Sequence, residues 1–234
     1  MKYIAILSFV LLSLNVTAQD EATQPKQASA GQVLTNHYIR TYQAGMRYND
    51  FSVAKHALYN ILVENPQNDS ILYSLSLLYF QSQNYASAAL TAQDIIAVNP
   101  DNLGALEIAA VSYENLGVND KALETYETLY LKTDDLQTLY KMAFLQFDLE
   151  KYAESKTNAD ILLNKKGVEE MNAVFNDTEG KQKEYPAKVA LLNLKGLIAQ
   201  KQGDNKVAEN YYQQALTIAP DFKMAKDNLA TLKK

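Results

Sequence analysis

Residues 68–102 read NDSILYSLSLLYFQSQNYASAALTAQDIIAVNPDN. Apolar residues recur every three or four positions on both sides of Gln83-Asn84, the pattern of two short amphipathic helices joined by a turn. A lone pair of such helices cannot bury its apolar faces, so it needs neighbours of its own kind. The chain supplies them. Proline closes this unit at Pro100 and the preceding one at Pro66, and Asp134 and Gly167 fall near the closing position of the next two. The recurrence sets a period of about 34 residues.

Within each period a small residue falls where the second helix crosses the first: Ala54, Ala88, Ala122, Ser155 and Ala208. A side chain without bulk lets two backbones approach closely, so five in register mark a packing constraint. One stripe of each second helix carries larger groups, Leu58 and Ile61, Tyr126 and Leu129, Ala159 and Leu162 among them. The matching stripe of the first helices includes Leu72, Leu75 and Tyr79, then Leu106, Ala110 and Tyr113, then Leu139, Met142 and Ala143.

At these residues the chain resembles the tetratricopeptide repeat (TPR) family, whose pattern runs W-x2-L-G-x2-Y, then A-x3-F, then P. The best single match is LLNLKGLIAQKQGDNKVAENYYQQALTIAPDF, with Leu192, Gly196, Gly203, Ala208, Tyr212, Ala215 and Pro220 in the family's positions. Departures are the absence of tryptophan, Gly45 where the first repeat would carry tyrosine, and the missing closing proline in repeats three and four. The resemblance implies an all-α superhelix of about five helix-turn-helix repeats, at 35–68, 69–102, 103–135, 136–167 and 189–222.

Before the repeats, residues 1–18 read as a signal peptide. Lys2 gives a positive start, Ile4 to Leu14 is an apolar run too short to span a bilayer, and Val16-Thr17-Ala18 precede a cut at Gln19. No cysteine follows that run, which argues against a lipoprotein. The expected location is periplasmic, with no membrane span in the mature chain. Residues 19–34 are expected to be a flexible lead-in, ordering near Gly31. Losing Lys2 with the leader takes the net charge from −5 to −6, and a mildly acidic chain without basic runs is a poor partner for nucleic acid.

In repeat one, Asn49-Asp50 signals the turn and N-cap, and in repeat three Asn119 is the expected cap after Leu116-Gly117. Repeat four turns near Glu150-Lys151. The period breaks at 168–188. Met171, Ala173 and Phe175 alternate, 176–180 is turn-rich, and Lys181, Lys183 and Tyr185 alternate again. That texture suggests a small β-hairpin insertion closed by Pro186, the other reading being an irregular polar loop. Residues 223–234 continue as an amphipathic helix able to cap the last repeat.

Groupings that could carry chemistry are scarce. The chain has two histidines, His37 and His56, and no cysteine, phosphate loop, nucleophile elbow or H-E-x-x-H. Neither an enzyme nor a cofactor or metal site is expected. Acid pairs such as Asp134-Asp135 and Glu169-Glu170 sit at turns or helix starts, where carboxylates favour the positive dipole end.

In the TPR family the first helices line a concave groove that holds a partner's peptide. By register, the resemblance implies groove positions Arg40, Gln43 and Arg47, then Tyr73, Leu77 and Phe80, then Glu107, Val111 and Glu114, then Tyr140, Phe144 and Phe147, then Asn193, Leu197 and Gln200. The aromatics are either partner anchors or packing between neighbouring first helices. The expected function is an exported interaction scaffold for an envelope protein. The alternative is an oligomeric assembly subunit whose groove is filled by another copy.

Replacing Ala88 or Ala122 by leucine should lower stability by about 1–3 kcal/mol in chemical denaturation, whereas the same change at Ala28 should be nearly silent.

Overall fold

The computed structural model describes residues 29–176 and 181–232, so the signal-peptide reading, most of the lead-in including Ala28, the tip of the insertion and the last two residues lie outside it. The described residues form an all-α solenoid of eleven helices with one two-stranded antiparallel sheet. The helices pair in chain order: α1 (Ala30–Arg47) with α2 (Phe51–Glu64), α3 (Asp69–Gln81) with α4 (Tyr85–Val98), α5 (Leu103–Asn115) with α6 (Asn119–Thr133), α7 (Leu136–Asp148) with α8 (Tyr152–Asn164), and α9 (Ala187–Lys201) with α10 (Asn205–Ile218). The last helix, α11 (Lys223–Thr231), closes the stack against α9 and α10. Residues 30–34, assigned by sequence to the lead-in, are the first turns of α1, because Ser29 and Gln32 form a capping box that starts the helix there.

Each pair is closed by the same turn. Asn49, Gln83, Gly117, Glu150 and Gly203 all take a left-handed conformation, with φ between 56° and 84°. The residue after each donates its N–H back to the carbonyl five residues earlier: Asp50 to Gly45 (2.8 Å), Asn84 to Tyr79 (2.8 Å), Val118 to Tyr113 (2.9 Å), Lys151 to Gln146 (2.8 Å) and Asp204 to Ala199 (2.9 Å). This is the Schellman arrangement, and its last residue doubles as the N-cap of the second helix. Asp50, Asn84 and Asp204 use their side chains for that cap, accepting from Val53, Ser87 and Val207. Repeat three corrects the sequence reading: Asn119 is the first helical residue, and Val118, with no side-chain acceptor, occupies the cap.

Small residues let the paired helices close. Ala54, Ala88, Ala122, Ser155 and Ala208 are all fully buried. Ser155 fits among alanines because its Oγ donates to the Ala143 carbonyl at 2.7 Å, so its own buried hydroxyl is paired. A Cβ on Gly196 would come within 2.4 Å of the Tyr212 ring, which packs against that glycine. At Gly45, where other repeats carry tyrosine, glutamine or alanine, a Cβ would meet the backbone of Ala54 and Asp50. The core is continuous along the stack, with clusters centred on α2–α3, α4–α6, α7–α9 and α9–α11.

Exits between repeats follow two patterns. Pro66, Pro100 and Pro220 each follow an extended C-cap, Asn65 (φ −144°), Asn99 (φ −138°) and Ala219 (φ −130°). Proline's ring drives its predecessor out of the helical region, which ends the helix there. Repeat three lacks the proline, and its exit residue Asp134 is left-handed instead (φ 50°). Across these exits runs a ladder of ion pairs, Lys132 with Asp101 (2.5 Å), Lys165 with Asp134, and Lys195 with Asp160 (2.5 Å). Their carboxylates are exposed while the lysines are partly covered, and pairs with an exposed partner contribute little stability.

The insertion begins with a 3₁₀ turn, Val168–Glu170, and continues as the expected hairpin, β1 (Asn172–Asn176) and β2 (Gln182–Pro186), paired from Asn172↔Pro186 to Asn176↔Gln182. An isolated ribbon is marginal in water. This one is held by Phe175, Tyr185 and Phe222, three rings meeting edge to face at 4.9–6.4 Å, and by Lys183 pairing with Asp221.

Glu150 and Gly203 occupy the same turn position. Glu150→Gly should raise stability by about 1 kcal/mol by relieving a side chain held left-handed, and Gly203→Ala should lower it by a similar amount, both read by urea unfolding.

Candidate functional site: the cleft between α5 and α7

Helices α3 and α5 pack directly on one another, whereas α5 and α7 barely touch. Between α5 and α7 lies a cleft of about 690 Å³, lined by Leu103, Gly104, Glu107 and Val111 on one wall and Gln137, Thr138 and Lys141 on the other. Tyr126, Leu129 and Thr133 of α6 and the cap residue Asp135 complete it. The left-handed exit at Asp134 brings α7 in after two connecting residues, where the proline-bearing exits take four.

One carboxylate organises the floor. Glu114 accepts from the Tyr126 hydroxyl at 2.7 Å and pairs with the Lys141 ammonium at 2.7 Å, tying α5 to both α6 and α7. Burial, and then the Glu114 carboxylate, push the Tyr126 hydroxyl well above the usual tyrosine range, so it stays a neutral donor. Glu107 is exposed at the rim. Asp148, exposed at the C-terminal end of α7, is shifted above the usual carboxylate range by partial desolvation and then by Glu114. Gly104 extends the cleft toward α3: the Tyr73 ring lies where a Cβ on residue 104 would be, within 2.7 Å of the Tyr73 hydroxyl oxygen. A shallower hollow of about 300 Å³ adjoins there, between Asp69, Ser70, Tyr73 and Asn102.

The groove positions drawn from sequence divide by environment. Arg40, Gln43 and Arg47 are exposed on α1, the Arg47 guanidinium lying 5.7 Å from the Tyr48 ring centre. Leu77 is exposed, while Tyr73 and Phe80 are half-buried against the α4–α6 core. Tyr140 and Phe144 lie on each other at 4.6 Å, Phe147 rests on Tyr152 at 5.6 Å, and all three pack on the α7–α9 core. Leu197 packs with α9–α11. Asn193 is buried under α11, accepting from the Asn228 amide at 2.9 Å, and Gln200 donates to Thr231. Val111 and Glu107 reach the cleft. Lys141, Gln137 and the α6 floor were missed, because nothing in a repeat register reports how far apart two first helices stand.

Family models for the tetratricopeptide repeat match residues 46–102, 73–135 and 189–222. The chain belongs to the tetratricopeptide repeat family. No curated protein matches it in sequence. Solved structures similar to it include YrrB, described as a TPR protein with an unusual peptide-binding site (13% identity, TM-score 0.63, covering 85% of this chain and 98% of YrrB). MamA from Desulfovibrio magneticus RS-1 is similar at 12% identity and TM-score 0.58, covering 81% of this chain and 97% of that one. A TPR protein from Parabacteroides merdae shares 15% identity at TM-score 0.51, covering 86% of this chain and all of that one. At these identities the likeness shows the fold alone. Among the described residues no helix is long and apolar enough to cross a membrane, and no group of histidine and acidic residues is placed to hold a metal.

The raised pKa of Asp148 gives a signed prediction. Its ionised form is less favourable folded than unfolded, so the penalty is absent in acid, where it is protonated in both states, and grows as pH rises through the carboxylate range. Its place at a helix C-terminus adds to that penalty. Asp148→Asn should raise the Tm at about pH 7, and the gain should vanish below about pH 3 in thermal melts followed by circular dichroism.

Proposed function

We propose that this TPR protein is an exported, non-enzymatic scaffold that holds a peptide segment of an envelope protein in the cleft between α5 and α7. The observation that carries the reading is the cleft itself. It joins an apolar floor to a few fixed polar groups, the composition of a site that orients a ligand as well as burying it. Leu103, Val111 and Leu129 offer apolar surface, while Gln137, Thr138 and Glu107 stand where they can meet a peptide backbone or side chain. The Lys141–Glu114–Tyr126 bridge fixes the floor before any partner arrives. Family membership supports a protein or peptide partner, and the apolar leader read from the sequence supports export.

The test is capture from an envelope extract with the wild-type protein and with a Leu103→Glu/Gln137→Arg double variant. Both side chains are exposed, and an acid in the first turn of α5 suits the helix dipole, so the fold should be unaffected. Partner recovery should be lost while the Tm stays within a degree or so. Undiminished recovery would remove the cleft from the account.

A further inference from the structure

A second cleft lies on another face of α7, between α6 and α8, with a volume of about 490 Å³. Its walls are Glu127, Tyr130 and Leu131 from α6 and Ala153, Glu154, Thr157 and Asn158 from α8, over a floor of Met142 and Gln146. The same place one repeat earlier, between α4 and α6 over α5, holds only about 230 Å³. Comparing the two in register shows why. Tyr113 fills the earlier hollow, and Gln146 stands at its position in the later one. Lys121 lines the earlier wall where Glu154 lines the later one, and Gln93 lines it where Glu127 does. The larger cleft therefore carries two carboxylates and no lining cation.

Its floor is polar in an unfinished way. Gln146 is 4% exposed, and its Oε1 accepts from the Asn158 amide at 2.8 Å. Its own amide nitrogen meets no acceptor among the described residues. The Asn158 oxygen is likewise unengaged, and turning both amides over leaves the same result, one free donor and one free acceptor facing the cleft. A donor and an acceptor side by side match the N–H and C=O of one extended peptide unit. Neither free atom is among the buried, unpaired polar atoms of the described residues, so both are open to water in the cleft, which a peptide unit would replace. Beside it Leu131 is 86% exposed, an apolar side chain standing at the cleft edge in water.

We infer that the α6–α8 cleft binds an extended peptide segment of another polypeptide, one that presents lysine or arginine next to an apolar residue. The Gln146–Asn158 pair takes the backbone, Glu127 and Glu154 take the basic side chain, and Leu131, Tyr130 and Met142 cover the apolar one. This site is separate from the α5–α7 cleft, so each stands or falls alone.

The experiment is an NMR titration of the ¹⁵N-labelled protein, following the side-chain amides of Gln146 and Asn158. The probes are a pool of short capped peptides with lysine fixed between leucines and a matched pool with glutamate in its place. The lysine pool should shift both amides, and the glutamate pool should leave them still. Gln146→Tyr, which restores the residue found one repeat earlier, should abolish the response. Glu127→Gln/Glu154→Gln, a surface change that leaves packing intact, should weaken it by about tenfold or more. Equal response to both pools, or a response that survives both variants, would overturn the proposal. So would shifts confined to Gln137 in the α5–α7 cleft, or shifts of the same two amides with protein concentration alone, which would make a second copy the occupant.

Discussion

Everything in this molecule depends on how closely two helices of a pair can approach. The crossing points are set by fully buried alanines and one serine, and the opposing helix contributes whatever fits against them: Gly196, which leaves room for the Tyr212 ring, the bare backbone of Gly45, or the Ala143 carbonyl that satisfies Ser155. Close approach matters because the interior is packed like a crystal, with no slack to absorb an added methyl group. Once each pair is closed, its outer apolar stripes are left uncovered, and the next pair is the cheapest cover available. The stack follows from that requirement, and α11 ends it by covering α9 and α10.

The connections decide where the stack opens into clefts. Inside repeats a left-handed residue and a shared cap residue make every turn alike, so the paired helices vary little. Between repeats the exits differ. An extended residue before proline gives one geometry, and the left-handed Asp134 gives another. Of the two exits that lack the proline, the left-handed one after α6 is the one beside which the α5–α7 cleft opens. A departure from the repeat pattern thus coincides with the cleft proposed to hold a peptide.

Much of this was legible in the residues. The 34-residue recurrence and its small side chains led to the solenoid, the alternation around Phe175 and Tyr185 to the hairpin, and Pro186 to the start of α9. The left-handed turns were less readable, because glycine marks only Gly117 and Gly203, while Asn49, Gln83 and Glu150 adopt the same conformation under pressure from the helices they join. Asn119 misled for a related reason: it is a good capping residue one position too late. The cleft was the least legible. Register names the face a residue occupies, and so it found Val111 and Glu107, but the spacing of α5 and α7 and the approach of Lys141 to Glu114 are properties of the assembled stack. The aromatics of α7 could be read as anchors or as packing, and here they rest half-buried on the α7–α9 core.

The protein is a row of units, each held chiefly by its neighbours, with clefts between them. Native-state hydrogen exchange at increasing denaturant tests that claim most directly. A row of this kind should open from its ends, with amides of α1, α2 and α11 exchanging at lower denaturant than those of α5, α6 and α7, whose neighbours lie on both sides. A single opening in which the protected amides of every helix merge at one denaturant concentration would contradict it.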